Sequence, residues 1–360
     1  MTMGRPDDSL EPDSCMRCGH RMSVVEETPL DVAGQDVVLV RERCTNCAWE
    51  AISAPSILRS DHDLLPAFEP GKTPIGRYRR VVTALSREPG FRDLASDQVA
   101  GTLLWYALGT DRADVVIKAH QGYHDEPAVA LTKEELFDTW QAPPGRGHRT
   151  VTTTDALRVN LQTVDQLRRF AETDKGAHPR IALVGRPCQL YTVRKLRWDE
   201  FLPGYELALG LGMFCFGNFA TAHYAGRELT RILGFDPSQI VSVRYGDDFE
   251  FLSNSGQIKR ARLSDVAGFV SPNCLQCTDF SASFSDLSVG RVGGELGFEA
   301  VVLRTPRGEE LFEAAVRDGC VVTSEAVYDG RGHMEDEEAR IVRLLTAMVE
   351  LKKEITRQIH

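Results

Sequence analysis

Residues 180–198, RIALVGRPCQLYTVRKLRW, decide the fold. Arg180–Gly185 is a short apolar run of strand length, which predicts a strand buried on both faces in a helix-covered sheet. The run breaks at Gly185-Arg186-Pro187-Cys188, and Gln189–Trp198 then reads as a helix. A buried strand passing straight into a helix is the unit of an α/β protein.

The surrounding sequence continues this alternation. Asp97–Leu108 reads as a helix with Asp97 at its cap, and Asp114–Lys118 as a short β-branched strand. Thr132–Trp140 opens on a capping-box pattern, Thr132 with Glu135. Thr154–Glu172 reads as a helix, whereas Gln141–Thr150, with Pro143, Pro144, Gly145 and Gly147, reads as a loop. Gly76–Ser86 carries apolar residues at roughly helical spacing. The C-terminal half holds more strand: Ile240–Tyr245, Phe249–Leu252 and Ile258–Leu263 around an Asn254-Ser255-Gly256 turn, then Leu287–Val292, Ala300–Arg304 and Cys320–Thr323. Gly308–Asp318 reads as a helix, and Ala339–Ile359 as an amphipathic helix with apolar Ile341, Leu344, Leu345, Met348 and Leu351. The class is α/β, or mixed α+β, with mixed sheets.

At 360 residues the chain is long enough for a core of 200–250 residues with an appendage. The formal net charge of −10 argues against non-specific nucleic-acid binding, which needs a basic surface. Residues 1–12 show no basic segment followed by an apolar stretch, and Leu207–Ala222 is shorter than a membrane span. A cytoplasmic location follows as an expectation, and with it a reducing environment in which cysteines bind metals more often than they form disulfides.

Eight of the nine cysteines fall into two sets of four. The first is Cys15-x2-Cys18 and Cys44-x2-Cys47, separated by 25 residues with two β-prone runs, Met22–Glu26 and Asp36–Arg41. Two such knuckles complete a tetrahedral thiolate site, which predicts a structural zinc on a ribbon-like hairpin unit over 13–52. Iron in a rubredoxin-like site uses the same geometry, and a pair of redox dithiols uses the same residues. The second set, Cys188, Cys215, Cys274 and Cys277, has gaps of 26, 58 and 2 residues. Spacing leaves two readings open for it, metal ligands or ordinary buried thiols. These cysteines do sit at backbone corners: Cys188 after Pro187, Cys215 beside Phe214 and Gly217, and the Cys274–Cys277 pair after Pro272. Cys320 reads as a packed thiol.

From about Gly76 to Val342 the chain resembles the beta-subunit family of coenzyme F-420 hydrogenases and dehydrogenases. The resemblance is carried by SDQVAGTLLWYAL (96–108), VGRPCQLYTVRKL (184–196), GMFCFGNF (212–219), PNCLQCTDFSASFSDLSVGRVG (272–293) and VVLRTPRGEELFEAA (301–315). It implies that Cys188, Cys215, Cys274 and Cys277 are the ligands of a 4Fe–4S cluster, with a flavin, usually FAD, beside it. The deazaflavin coenzyme F-420 is then the expected hydride donor or acceptor, and a redox partner protein or ferredoxin the one-electron partner. The N-terminal cysteines lie outside this shared core. The implied division is 13–52 ribbon-like unit, 53–75 linker, 76–200 and 201–345 the two parts of the core, and 346–360 the end of the last helix. Two stretches depart from the family pattern. Val99-Ala100 stand where two glycines are usual, and 145–149 reads Gly-Arg-Gly-His-Arg in place of a Gly-Ser-basic-aromatic stretch.

Hydride transfer needs no side-chain acid or base, so no catalytic residue is singled out. Flavin phosphates favour helix N-termini and Gly-rich turns, which nominates Asp97, Gln98, Gly101 and Thr102 at one helix start, Gly185 and Arg186 at another, and Gly290, Arg291 and Gly293 after a strand. Asp279 flanks the cluster loop, as does Asp286, both as caps or turn formers or as flavin contacts. Arg146, His148 and Arg149 read equally as a site for an anionic coenzyme tail or as a solvated loop, and Arg77, Arg79 and Arg80 as a solvated face. Two other functions fit the same residues: a ferredoxin-dependent reductase of another organic substrate, and a non-catalytic electron-transfer or docking subunit.

Overall fold

The computed structural model describes residues 21–32, 35–45, 50–53, 73–92, 97–118, 128–141, 179–195, 206–217, 223–244, 248–269, 279–292, 298–324, 327–328 and 334–359. The expected helix 154–172, the loop 142–150 and most of the linker lie outside these residues.

Near the N-terminus, β1 (Met22–Val32), β2 (Gln35–Cys44) and β3 (Glu50–Ser53) form an antiparallel sheet in the order β1-β2-β3. The two runs read from the sequence are parts of longer strands, Met22–Glu26 opening β1 and Asp36–Arg41 lying within β2, paired from Met22↔Cys44 to Val32↔Gln35 with a bulge near Val24.

The main body is an eight-stranded mixed sheet. Its strands are β4 (Arg80–Ser86), β5 (Val115–Lys118), β6 (Ala128–Ala130), β7 (Arg180–Gly185), β8 (Glu206–Met213), β12 (Leu287–Gly290), β13 (Glu299–Leu303) and β14 (Val321–Thr323). The spatial order is β14-β4-β13-β12-β8-β7-β5-β6. The four central strands β12, β8, β7 and β5 are parallel, and the strands outside them pair antiparallel. A separate sheet of β9 (Ile240–Arg244), β10 (Asp248–Ser253) and β11 (Ile258–Arg262) follows the expected hairpin, with Gly256 at φ +82 in its turn. The short β15 (Val327–Tyr328) and β16 (Met334–Glu335) pair with each other.

The main sheet is buried on both faces, as the apolar run Arg180–Gly185 requires. Side chains alternate across a strand, so Val301 and Leu303 of β13 enter one core while Ala300 and Val302 enter the other. The first core takes α2 (Gln98–Gly109), α3 (Lys133–Gln141) and α7 (Pro306–Arg317). The second takes the β9–β11 sheet, α5 (His223–Leu233) and α8 (Glu337–Ile359). Short turns α1 (Pro89–Arg92) and α6 (Leu263–Val266), together with α4 (Pro187–Lys195), complete the α-helices among the described residues.

One expectation fails: residues 80–86 are strand β4, not helix. Val81, Val82 and Thr83 are β-branched, and both faces of this strand are packed, so its apolar residues lose the alternation that would have revealed it. The capping box on α3 is present, with Glu135 N–H donating to Thr132 Oγ1 at 3.1 Å and Thr132 N–H to Glu135 Oε2 at 3.3 Å.

Candidate functional site

Ligands of open α/β sheets gather outside the carboxyl ends of parallel strands. Two of the four scattered cysteines lie at that edge. β7 and β8 run in parallel with Gly185 paired to Gly212, and Cys188 and Cys215 each lie three residues beyond that pair. Both are thiols, Cys188 exposed and Cys215 half-buried. Cys274 and Cys277 lie outside the described residues, but the chain that follows them is anchored at the same place. Cys215 N–H donates to the Phe280 carbonyl at 2.9 Å, and Phe214 N–H to the Val289 carbonyl at 3.0 Å.

Local chemistry fixes each thiol-bearing corner. Pro187, which has no N–H to lose, opens α4 and puts Cys188 at its second residue. The Gln189 side chain reaches back to accept from Arg186 N–H at 2.8 Å, the reciprocal half of a capping box. Cys188 thus stands in the first turn of α4 and is exposed there. Cys215 lies two residues past the end of β8, where Gly212 lets the 279–286 loop approach: a Cβ at Gly212 would lie 2.3 Å from the Ala282 Cβ.

The loop is held by buried charge. The Asp286 carboxylate accepts from Arg194 Nη2 (2.6 Å), Gly210 N–H (2.7 Å), Arg307 Nε (2.9 Å) and Thr305 Oγ1 (2.8 Å). Burial works against its ionised form, but the two guanidiniums prevail and hold its pKa below the usual value. Arg194 belongs to α4, so this pair ties the Cys188 helix to the loop. Arg304, fully buried, donates to the carbonyls of Ile75, Arg77 and Ser281, and burial pulls its pKa down to about 10. Asp279 accepts from Ser283 N–H and Oγ, both at 2.9 Å, and caps the turn. Asp279 and Asp286 thus both help to hold this loop.

The expected phosphate sites fare differently. Asp97 lies at the start of α2 with φ 63 and makes no side-chain cap. The carboxylate of Glu299 takes that role, accepting from Asp97 N–H (2.7 Å), Gln98 N–H (3.3 Å) and Val99 N–H (2.9 Å). The N–H groups that would have met a phosphate are therefore engaged by an intrachain anion. Gly101 packs against Phe91 and Trp140, and the Thr102 hydroxyl bonds to Ser86 Oγ at 2.6 Å and Gln98 O at 2.8 Å. Gly290 is small for a packing reason, since a Cβ there would lie 2.3 Å from the Phe214 ring. Gly185 and Arg186 do lie at the carboxyl edge, as does Arg291, while Gly293 is outside the described residues. Arg77, Arg79 and Arg80 lie away from that edge at the start of β4, and Arg79 and Arg80 pair with Glu309 and Glu313 of α7; Arg146, His148 and Arg149 are outside the described residues.

Glu299 was missed because the sequence reading began its strand at Ala300. A carboxylate directly preceding the buried run Ala-Val-Val-Leu was the available signal. Burial foremost, then repulsion from Asp97, pushes its pKa up to about 7, against the pull of the backbone N–H groups and Arg291.

Cys15, Cys18 and Cys47 lie outside the described residues, and Cys44 ends β2. Among the described residues no three or more Cys, His, Asp or Glu side chains gather as a metal site. Among them, too, no helix is long and apolar enough to cross a membrane.

The fold is that of a mixed-sheet α/β protein with two thiols at its carboxyl edge, and comparison with known proteins narrows this. Residues 178–328 match the family described as the C terminus of the coenzyme F420 hydrogenase/dehydrogenase beta subunit. The coenzyme F420 hydrogenase subunit beta of Methanococcus voltae is 25% identical over 69% of this chain and 85% of its own length. That of Methanothermobacter thermautotrophicus is 25% identical over 72% and 90%. The coenzyme F420-dependent sulfite reductase of Methanocaldococcus jannaschii is 27% identical over 43% of this chain and 26% of its own length. A chain of the F420-reducing NiFe hydrogenase complex from Methanosarcina barkeri shares the fold, with a TM-score of 0.57 at 21% identity over 79% of this chain and 92% of that one. Over about seven-tenths of its length the chain is similar to coenzyme F420 hydrogenase beta subunits, residues 178–328 carry the match to that family's C-terminal part, and the protein is an oxidoreductase.

Proposed function

We propose that the protein is an iron–sulfur flavoprotein that passes electrons between the deazaflavin coenzyme F420 and a one-electron partner protein such as a ferredoxin. The observation that carries this reading is the equal offset of Cys188 and Cys215 beyond the Gly185↔Gly212 pair at the carboxyl edge. Cys277 stands two residues before Asp279, whose neighbour Phe280 is bonded to Cys215, so the fourth thiol is covalently close to the same corner. Four cysteine thiolates are the usual holders of a 4Fe–4S cluster, and two described ones fit that role in chemistry and placement. The relatives' names, F420 hydrogenase and F420-dependent sulfite reductase, support the coenzyme.

When bound, a flavin beside a cluster turns a two-electron hydride event into single-electron steps. The chain's own part is to hold and shield. The Asp286–Arg194 pair fixes the Cys188 helix, Arg304 and Asp279 fix the loop after Cys277, and Phe214 and Phe280 pack at the Cys215 corner with ring centroids 5.6 Å apart. FAD is the flavin we infer, with Arg186 and Arg291 as the candidate phosphate contacts at the carboxyl edge. The N-terminal Cys15, Cys18, Cys44 and Cys47 are proposed as a structural zinc site, supported by their spacing and by the β1–β2 hairpin that fills the gap.

Adding reduced F420 to anaerobically purified protein tests the activity. Rapid bleaching of bound flavin is the expected result. Flavin that stays oxidised would overturn F420 as donor in favour of a reductase served by ferredoxin, and purified protein without flavin would favour an electron-transfer or docking subunit. Zinc near one per chain, lost in Cys44→Ser, is expected for the N-terminal unit; iron at that site would overturn zinc.

A further inference from the structure

The last helix carries a charge on its buried face. Ile341, Leu345, Met348, Val349 and Lys352 recur at helical spacing along α8, and all five are buried, Lys352 at 1% exposure. An ammonium group in such a stripe is costly unless hydrogen-bonded. Its Nζ donates to the Cys215 carbonyl at 3.1 Å and to the Asp279 carbonyl at 3.4 Å. One of these carbonyls belongs to a cysteine of the scattered set, and the other stands two residues beyond Cys277. The ammonium therefore bridges two of the segments that carry cysteines of that set.

We propose that Lys352 is a positioning residue for the iron–sulfur centre, setting its reduction potential by placing a buried positive charge against the Cys215 and Asp279 backbone. Reduction adds a negative charge to the cluster, and a fixed cation nearby favours the reduced form, strongly so where water is excluded. The same contacts make α8, which lies beyond the 178–328 family match, part of the electron-carrying unit. The inference rests on the reading of Cys188, Cys215, Cys274 and Cys277 as cluster ligands.

The test is an anaerobic redox titration of the full-length protein followed by electron paramagnetic resonance, with iron content measured alongside. Lys352→Gln keeps a hydrogen-bond donor and removes the charge; Lys352→Met removes both. Both variants are expected to retain iron and to be harder to reduce by at least tenfold in the equilibrium constant, which is about 59 mV for a one-electron couple. Retained iron with an unchanged potential in Lys352→Gln would overturn the proposal while leaving the cluster reading intact. A wild-type protein without an iron–sulfur signal would instead overturn the cluster reading itself. Should both neutral variants lose iron, Lys352→Arg decides: iron retained at the wild-type potential supports the charge, and iron lost assigns Lys352 to packing alone.

Discussion

Two helix starts, those of α2 and α4, suit anions by the same physics and are used in opposite ways. The start of α2 is closed from within: Glu299 reaches it from β13 and accepts three of its N–H groups. The start of α4 has its own light cap, Gln189 on Arg186, and presents an exposed thiol at the next turn position. A helix N-terminus is an anion site only where the chain has not already supplied the anion. Sequence shows the start of a helix clearly and shows its long-range partner hardly at all, since Glu299 lies some 200 residues from Val99.

The comparison can be broken at three points. The largest effect is expected at the anchor of the open end. Asp286→Ala strands Arg194 buried in α4, and losing one partner of a buried pair costs about 3–5 kcal/mol; urea denaturation should show it, and a loss under 1 kcal/mol would mean α4 is not held by this pair.

The closed end should respond to pH. The folded pKa of Glu299, about 7, lies above its ordinary value of 4.5. Its folded state therefore binds the proton more tightly, so the associated stability is complete below pH 4.5 and is lost as pH rises through 7. A shift of this size corresponds to about 3 kcal/mol. Between pH 5 and 8 the wild type should lose more stability than Glu299→Gln, which keeps an acceptor for the α2 N–H groups without titrating. Parallel stability profiles for the two proteins would show that Glu299 does not titrate in this range.

The smallest effect belongs to the light cap. Gln189→Ala should cost about 1 kcal/mol, the usual worth of a helix cap, with iron content retained. A cost above 3 kcal/mol would make the open end as firmly closed as the other.

Part of the fold was legible where short apolar or β-branched runs meet a glycine break or turn. Arg180–Gly185 and the Asn254-Ser255-Gly256 hairpin lie where they were expected. β4 was not legible, because a strand packed on both faces loses the period that distinguishes it from a helix. The cysteine corners were legible only through the motifs around them; their spacing of 26, 58 and 2 residues reports nothing of the register that sets Cys188 and Cys215 at equal offsets on adjacent strands. Lys352 hid for the opposite reason, since a lysine on a helix is ordinarily a solvated residue, and only packing shows it on the buried stripe.

The central claim is that the carboxyl edge of β7 and β8 holds an iron–sulfur centre through Cys188 and Cys215. Iron and sulfide quantified per chain after anaerobic purification test it most directly, with wild type, Cys188→Ser and Cys215→Ser compared at matched far-ultraviolet circular dichroism. About four irons per chain are expected in the wild type, with loss of most of them in each variant; iron unchanged by either substitution would contradict the account.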